Sequence, residues 1–365
     1  MNTLKEYIGS LIESGIPYID VVCHRDGEQI LRMTAGEGAT GKERLNVFSC
    51  SKPITMAMTM RLVEEGKISL DDPVEKYLST FADVYLLRDG VRCAPKMRPT
   101  LRNLATMTAG ITYNIDGYYP IEKFIAENPT LSPTVAAMMS IPSMPLAREV
   151  GERFDYTLCH DVMGAVLEVA SGESLSALLK KYITEPLGME NTYYGSRFEE
   201  STADPYRANP DGSISPTTRE NAFVLCDGFL SGGAGLVSTV EDYIKFVDML
   251  ALGGIGANGA RVLSEESVKI MRTPEIASIG LAGDYTSISN YGYGIGVRTR
   301  TVPTEWGLPV GEFGWDGAAG SYLMADPVNR TSVFIGMNVR VWPIVMKGKH
   351  LEIVKRIYSE HGIGK

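Results

Sequence analysis

This chain is poor in the residues that hold metals or carry redox chemistry. Of 365 residues, five are cysteine and four are histidine. The cysteines (Cys23, Cys50, Cys93, Cys159, Cys226) are scattered and odd in number, without a C-x-x-C. That pattern argues against a zinc ribbon, a dithiol redox motif or a disulfide framework. Reduced thiols in a cytoplasmic protein are the simple reading. His24, His160, His350 and His361 lie far apart, so no metal site and no cofactor is expected. No apolar run approaches the roughly 20 residues of a membrane span. Met1–Tyr18 carries Lys5 and Glu6 and then a broken apolar pattern, which does not read as a signal peptide. A basic surface is also missing. The net charge is −9 with no basic run, and binding a nucleic-acid duplex takes clustered Lys and Arg. The expected partner is a small molecule, neither nucleic acid nor membrane; oligomeric state is not legible.

Apolar residues are plentiful, at 44% against 22% charged, so a sizeable core is within reach. Leu4, Ile8, Leu11 and Ile12 repeat at helical spacing and predict an amphipathic opening helix. Tyr18–His24 and Gln29–Ala35 flank Arg25-Asp26-Gly27-Glu28 and read as a β-hairpin. Ser51–Glu65 predicts a helix with Ile54, Met58 and Leu62 on one face and Gly66 as its stop. Asp71-Asp72-Pro73 predicts a short helix. From there to about Asn221 helices and loops dominate, with 160–170 and 174–182 the clearest helices. Leu236–Leu252 reads as one more helix, with Ser238/Thr239 at its start. Tyr291–Arg300, Ser321–Ala325 and Ser332–Asn338 read as strands, and Leu351–Ser359 as a closing helix. Strands at both ends with helices between predict an α+β fold. Residues 1–70 and 225–365 would share a sheet, and 71–224 would form a mostly helical domain.

Two motifs could carry chemistry. Gly36-Glu37-Gly38-Ala39-Thr40-Gly41 spells G-x-G-x-x-G, but no helix begins in that loop and no βαβ unit follows, as dinucleotide binding requires. The other is Ser49-Cys50-Ser51-Lys52, the single S-x-x-K in the chain. At a helix start, residues three apart share a face, so hydroxyl and amine come within reach of one another. A serine hydroxyl needs a base, and a lysine serves once desolvation lowers its pKa. A Ser–His–acid triad around His160 would be the rival chemistry, but no G-x-S-x-G elbow occurs; a structural histidine is the plainer reading.

The segment Phe48–Thr55 resembles the first motif of serine β-lactamases, penicillin-binding proteins and their esterase relatives. Leu104–Ile111, Glu185–Thr192 and Ser231–Thr239 resemble further segments of that family in the same order, from about residue 15 to residue 340. The resemblance implies a β-lactamase/transpeptidase-like fold: a mostly antiparallel sheet flanked by helices, an inserted helical domain and a cleft between them. It implies Ser49 as nucleophile, Lys52 as base and Tyr156 as proton shuttle, with an oxyanion hole from the N–H groups of Ser49 and Ala318. Two motifs depart from the family. The Tyr-x-Asn match, Tyr156-Thr157-Leu158, has Leu for Asn. The Lys-x-Gly match, Trp315-Asp316-Gly317, has Trp for the cation, as β-lactamase-like esterases often do. Trp315, Gly317 and Leu158 are therefore expected to line the substrate. The expected activity is ester hydrolysis through an acyl-enzyme. A β-lactamase, a D-amino-acid peptidase and a non-catalytic binder on the same fold stay open.

Overall fold

The computed structural model describes residues 2–113, 121–276 and 290–364. Helix α1 (Leu4–Glu13) starts with a reciprocal pair of hydrogen bonds between Thr3 and Glu6, which satisfies two open amides of its first turn. Its buried stripe is Leu4, Ile8 and Leu11, each contributing about 1.5–3 kcal/mol by leaving water. Strands β1 (Tyr18–Arg25) and β2 (Glu28–Gly36) form the expected hairpin. Asp26 and Gly27 take φ of 54° and 81° at its tip, the twist-matched geometry of a two-residue turn.

The helices that follow include α2 (Ser51–Glu64), α3 (Pro133–Met139), α4 (Cys159–Ser171) and α5 (Val240–Ala251). Then come β3 (Tyr291–Tyr293), β4 (Arg298–Arg300), β5 (Phe313–Asp316), β6 (Tyr322–Asp326), β7 (Thr331–Gly336) and α6 (Lys349–Glu360). The seven strands make one antiparallel sheet in the order β3-β4-β5-β6-β7-β1-β2. The early and late parts of the chain thus meet at β1–β7, with Val21 opposite Ile335 and Val22 opposite Phe334. Period-two alternation splits their side chains between two cores. Val21, Cys23, Val333 and Ile335 pack with α1 and with Ile353, Val354 and Ile357 of α6. Val22, Leu323 and Phe334 face the inner core with Val240, Tyr243 and Val247 of α5. That inner core continues through α2 and α4. The α+β expectation, an antiparallel sheet flanked by helices, holds.

Several local expectations are revised. Helix α2 is not one-sided: every residue from Ser51 to Met60 is buried. Its threonines are satisfied, with Thr55 Oγ1 donating to the Gly232 carbonyl at 2.7 Å and Thr59 Oγ1 to the Thr55 carbonyl at 2.9 Å. The predicted helix 236–252 is a short strand, Leu236–Ser238, followed by α5. Thr239 caps that helix, its side chain accepting the Asp242 N–H. The predicted strand 291–300 is a hairpin. Gly294 and Gly296 interrupt it: a Cβ at 294 would lie 2.2 Å from the Met271 carbonyl oxygen, and Gly296 has φ of 75°. The turn after Asp71-Asp72-Pro73 is a single 3₁₀ turn, Val74–Lys76. Among residues 71–224 lie short strand pairs, Leu86–Arg88 with Val91–Cys93 and Tyr206–Ala208 with Ile214–Pro216, too brief to leave a period-two signal.

Candidate active site

Ser49 lies in the tight turn Phe48–Cys50 that runs into α2. Phe48 holds φ at +46°, a left-handed conformation that costs a side-chain-bearing residue about 1–2 kcal/mol. Tertiary contacts hold it there. The Cys50 N–H closes onto the Val47 carbonyl at 3.1 Å, and the Phe48 ring is buried with Ala234 and Ala319. The next turn of helix brings Lys52 Nζ to 3.1 Å from Ser49 Oγ. Ser51, the other hydroxyl of the motif, is fully buried and accepts the Leu236 N–H at 3.0 Å. The two serines therefore differ: one ties α2 to a strand, the other meets the amine.

Lys52 is completely buried. Its amine also donates to the Gly233 carbonyl at 2.8 Å and lies 4.6 Å from the centre of the Tyr156 ring. Burial pulls its pKa down to about 8, against the opposing pull of the Asp161 carboxylate. Asp161, which sequence reasoning did not single out, sits in the first turn of α4. Its Oδ1 accepts the Ser231 hydroxyl at 2.5 Å and the Gly233 N–H at 3.1 Å. Gly232 and Gly233 are both needed for this approach. A Cβ on Gly232 would lie 2.5 Å from the His160 carbonyl oxygen, and one on Gly233 would lie 2.5 Å from Asp161 Oδ2. Asp161 thus positions the carbonyl that holds the lysine.

Tyr156 enters from the loop before α4. Trp315, on β5, donates its indole N–H to the Tyr156 hydroxyl at 2.9 Å, with the ring centroids 5.4 Å apart. Trp315 is therefore more than the apolar wall its sequence position suggests. Leu158 is corrected: its side chain is 2% exposed and belongs to the inner core, while its carbonyl accepts the N–H groups of Asp161 and Val162 at the start of α4. A leucine at a helix entry turned inward serves packing.

Gly317 follows β5 and approaches the nucleophile turn closely; a Cβ there would lie 2.4 Å from the Val47 carbonyl oxygen. This absence of a side chain lets Ala318 pack beside Phe48. Among the described residues, no hydrogen-bond acceptor stands against the Ser49 or the Ala318 N–H.

His160 is fully buried on α4. Its Nε2 lies 3.1 Å from the Ala105 carbonyl, and burial, reinforced by Lys52, holds its pKa at about 3. It is a neutral structural ring, with no bond to Ser49. Two other cations near the site have partners of their own, although Arg340 Nε is buried without one among the described residues. Arg298 is buried against Asp316 at 3.0 Å. Arg340 donates to the Glu220 carbonyl at 2.6 Å, with its guanidinium 5.4 Å from the centre of the Phe48 ring. Among the described residues no group of three His, Cys, Asp or Glu is placed to hold a metal. The G-x-G-x-x-G segment closes β2 and leads into the strand Leu45–Asn46, not into a helix.

Comparison with known proteins bears on the family and the fold. The Beta-lactamase family model matches residues 6–351. An uncharacterized protein of Mycobacterium tuberculosis is 28% identical over 298 residues, covering 77% of this chain and 74% of its own. Esterase EstB of Burkholderia gladioli is 25% identical over 354 residues, covering 87% and 83%. The structure of EstCE1, described as a hydrolase with promiscuous acyltransferase activity, superposes with a TM-score of 0.77 at 23% identity, covering 97% of this chain and 98% of that one. With the fold, the ordered motifs and the family match in agreement, the chain belongs to the beta-lactamase family of serine hydrolases.

Proposed function

We propose that this protein hydrolyses carboxylic esters through an acyl-enzyme on Ser49. The observation that carries this reading is the fully buried Lys52 amine, 3.1 Å from Ser49 Oγ and drawn down to a pKa of about 8. In its neutral form Lys52 takes the Ser49 proton as Oγ bonds to the substrate carbonyl carbon. The N–H groups of Ser49 and Ala318 receive the oxyanion. The Tyr156 hydroxyl, oriented by Trp315, passes a proton to the departing alkoxide. Water then attacks the acyl group by the reverse relay and frees Ser49.

Two features favour esters over β-lactams. Most penicillins and cephalosporins carry a carboxylate, which the family's third-motif cation meets. Trp315 has one N–H and no charge, and that N–H is given to Tyr156. Loss of a charge-assisted hydrogen bond of roughly 1.5–3 kcal/mol lowers binding by about 10- to 100-fold. The similarity to an esterase supports the same choice.

The test uses a fluorophosphonate probe, followed by a comparison of kcat/KM for p-nitrophenyl butyrate and a chromogenic cephalosporin. A single adduct on Ser49, lost in Ser49→Ala, with ester turnover well above cephalosporin turnover, is expected. An adduct on Ser51 would sink the nucleophile assignment. Cephalosporin turnover near 10⁶ M⁻¹s⁻¹, roughly the middle of the range of efficient enzymes, with negligible ester turnover would sink the substrate class.

A further inference from the structure

The turn that carries Ala318 has little stiffness of its own. It runs Gly317-Ala318-Ala319-Gly320, two small residues between two glycines. Gly320 takes φ of 92°, a conformation that glycine enters and leaves at little cost. Hydrogen bonds therefore set where the turn sits. The Gly317 N–H donates to the Ser321 carbonyl at 2.7 Å and the Gly320 N–H to the Gly317 carbonyl at 3.0 Å, closing the turn on itself. Further bonds tie it to the rest of the molecule. The Val339 N–H donates to the Ala319 carbonyl at 2.9 Å. His350, the second residue of α6, brings Nε2 to 2.9 Å from the Gly320 carbonyl. A carbonyl oxygen only accepts, so Nε2 carries the proton and donates. The imidazole is itself held in place. It is 4% exposed and stacks on Tyr322, with ring centres 5.0 Å apart and planes 13° from parallel, while Trp342 meets it edge-on at 4.7 Å. The Arg298 guanidinium lies 4.7 Å from the centre of the Tyr322 ring and pairs with Asp316, the residue directly before the turn. Tyr322 and Trp342 belong to the core with α1 and α6, whereas Trp315 belongs to the inner core. Burial keeps the His350 ring neutral, its pKa held down at about 4.

We propose that His350 is a positioning residue for the reaction: its Nε2–H anchors the Gly317–Gly320 turn so that the Ala318 N–H stays aimed where the oxyanion forms. The inference rests on the acyl-enzyme reading of Ser49 and adds to it a residue from the far side of the sheet. A donor stabilises an oxyanion well only if it is in place before the charge develops. A glycine-flanked turn that loses an anchor spends part of its time elsewhere, and the oxyanion then meets one N–H in place of two. That loss falls on both tetrahedral steps, acylation and deacylation, and so on kcat. It leaves the proton relay of Lys52 and Tyr156 untouched. Were His350 only packing between α6 and the sheet, its loss would lower stability and nothing more.

The experiment compares kcat/KM for p-nitrophenyl butyrate and for its thiono analogue, in which sulfur replaces the carbonyl oxygen. Sulfur is a weak acceptor, so the thiono ester gains little from the oxyanion donors, and the ratio of the two values reads those donors alone. His350→Phe keeps a flat ring beside Tyr322 and Trp342 and removes the N–H. His350→Asn keeps polarity but is too short to reach the Gly320 carbonyl, and it stands in if the Phe variant does not fold. His350→Gln gives up the ring and keeps an N–H that reaches. The oxygen-to-sulfur ratio is expected to fall about 5- to 50-fold in the Phe and Asn variants, less than the roughly 10²–10³ lost when an oxyanion donor is removed outright, and to recover in the Gln variant. An unchanged ratio in folded Phe or Asn variant, with only the melting temperature lowered, would overturn the positioning role and leave the hydrolase reading standing. An equal loss in the Gln variant would assign the effect to the ring and overturn the role of the N–H. If Ser49→Ala hydrolyses the ester as fast as the unaltered protein, the reading beneath falls and this inference with it.

Discussion

The indole N–H of Trp315 and the hydroxyl of Tyr156 lie 2.9 Å apart, although 159 positions separate them in sequence. The hydroxyl oxygen accepts that N–H, which in the proposed mechanism orients Tyr156 toward the leaving group. The same contact supports negative charge on the oxygen whenever the proton has been passed on. In the proposed mechanism, a residue standing where the family has a cation thus orients the proton donor.

Trp315→Phe keeps the ring and removes the donor. A neutral hydrogen bond contributes about 0.5–1.5 kcal/mol, so kcat on p-nitrophenyl butyrate is expected to fall roughly 3- to 10-fold with KM little changed. Steady-state kinetics on protein of unchanged circular dichroism reads this. A change confined to KM would mean that Trp315 acts only as a wall.

The base should be visible in the pH profile. Lys52 must be neutral to accept a proton, and burial sets its pKa at about 8. kcat/KM is therefore expected to rise with pH through an apparent pKa near 8 and then level off. The thiols beside it, Cys50 and Cys159, are held well above their usual range by burial, Cys159 at about 11, and stay neutral across that limb. The Asp161 carboxylate is the charge that raises Lys52, so Asp161→Asn should move the limb to lower pH. A limb that stays in place, or moves upward, would remove Asp161 from the electrostatics of the lysine.

The Lys52 amine lies 4.6 Å from the centre of the Tyr156 ring, and in the proposed mechanism the two residues form one proton-transfer unit. Lys52→Ala and Tyr156→Phe should each lower kcat by on the order of 10²–10⁴, and the double variant should be little worse than the poorer single one. Multiplicative losses would show that the two groups work independently.

What could be read from the sequence follows from the distance over which each feature is decided. Ser49 and Lys52 are one helical turn apart, so their meeting is written in local spacing. The hairpin at Asp26-Gly27 and the cap at Thr239 are likewise local. Asp161 was not legible, because its partners Ser231 and Gly233 lie 70 and 72 residues away; the glycine pair 232–233 was the only trace of that approach. Trp315 was legible as a departure from a motif but not as a donor, since its acceptor comes from another element. The break between β3 and β4 was hidden because Tyr291–Arg300 is apolar enough to read as one strand. Only the fold brings the Met271 carbonyl against Gly294.

The rival Ser–His–acid chemistry makes an opposite prediction at His160. In a triad the histidine bonds the serine, an acid orients it, and its loss removes nearly all turnover. Here Nε2 is engaged by the Ala105 carbonyl, and Nδ1 has no partner among the described residues. With a pKa held at about 3 the ring stays neutral at every pH where the enzyme would work. A glutamine can reproduce a donor toward Ala105 at some loss of packing against Met56 and Gly296, which lie beside the ring. His160→Gln should therefore lower stability by about 1–3 kcal/mol, the usual cost of disturbing a buried polar group, and leave kcat within roughly threefold. Thermal melting and p-nitrophenyl butyrate kinetics on one preparation measure both. A folded variant with a loss near that of Ser49→Ala would place His160 in the reaction and displace Lys52 from the role assigned to it.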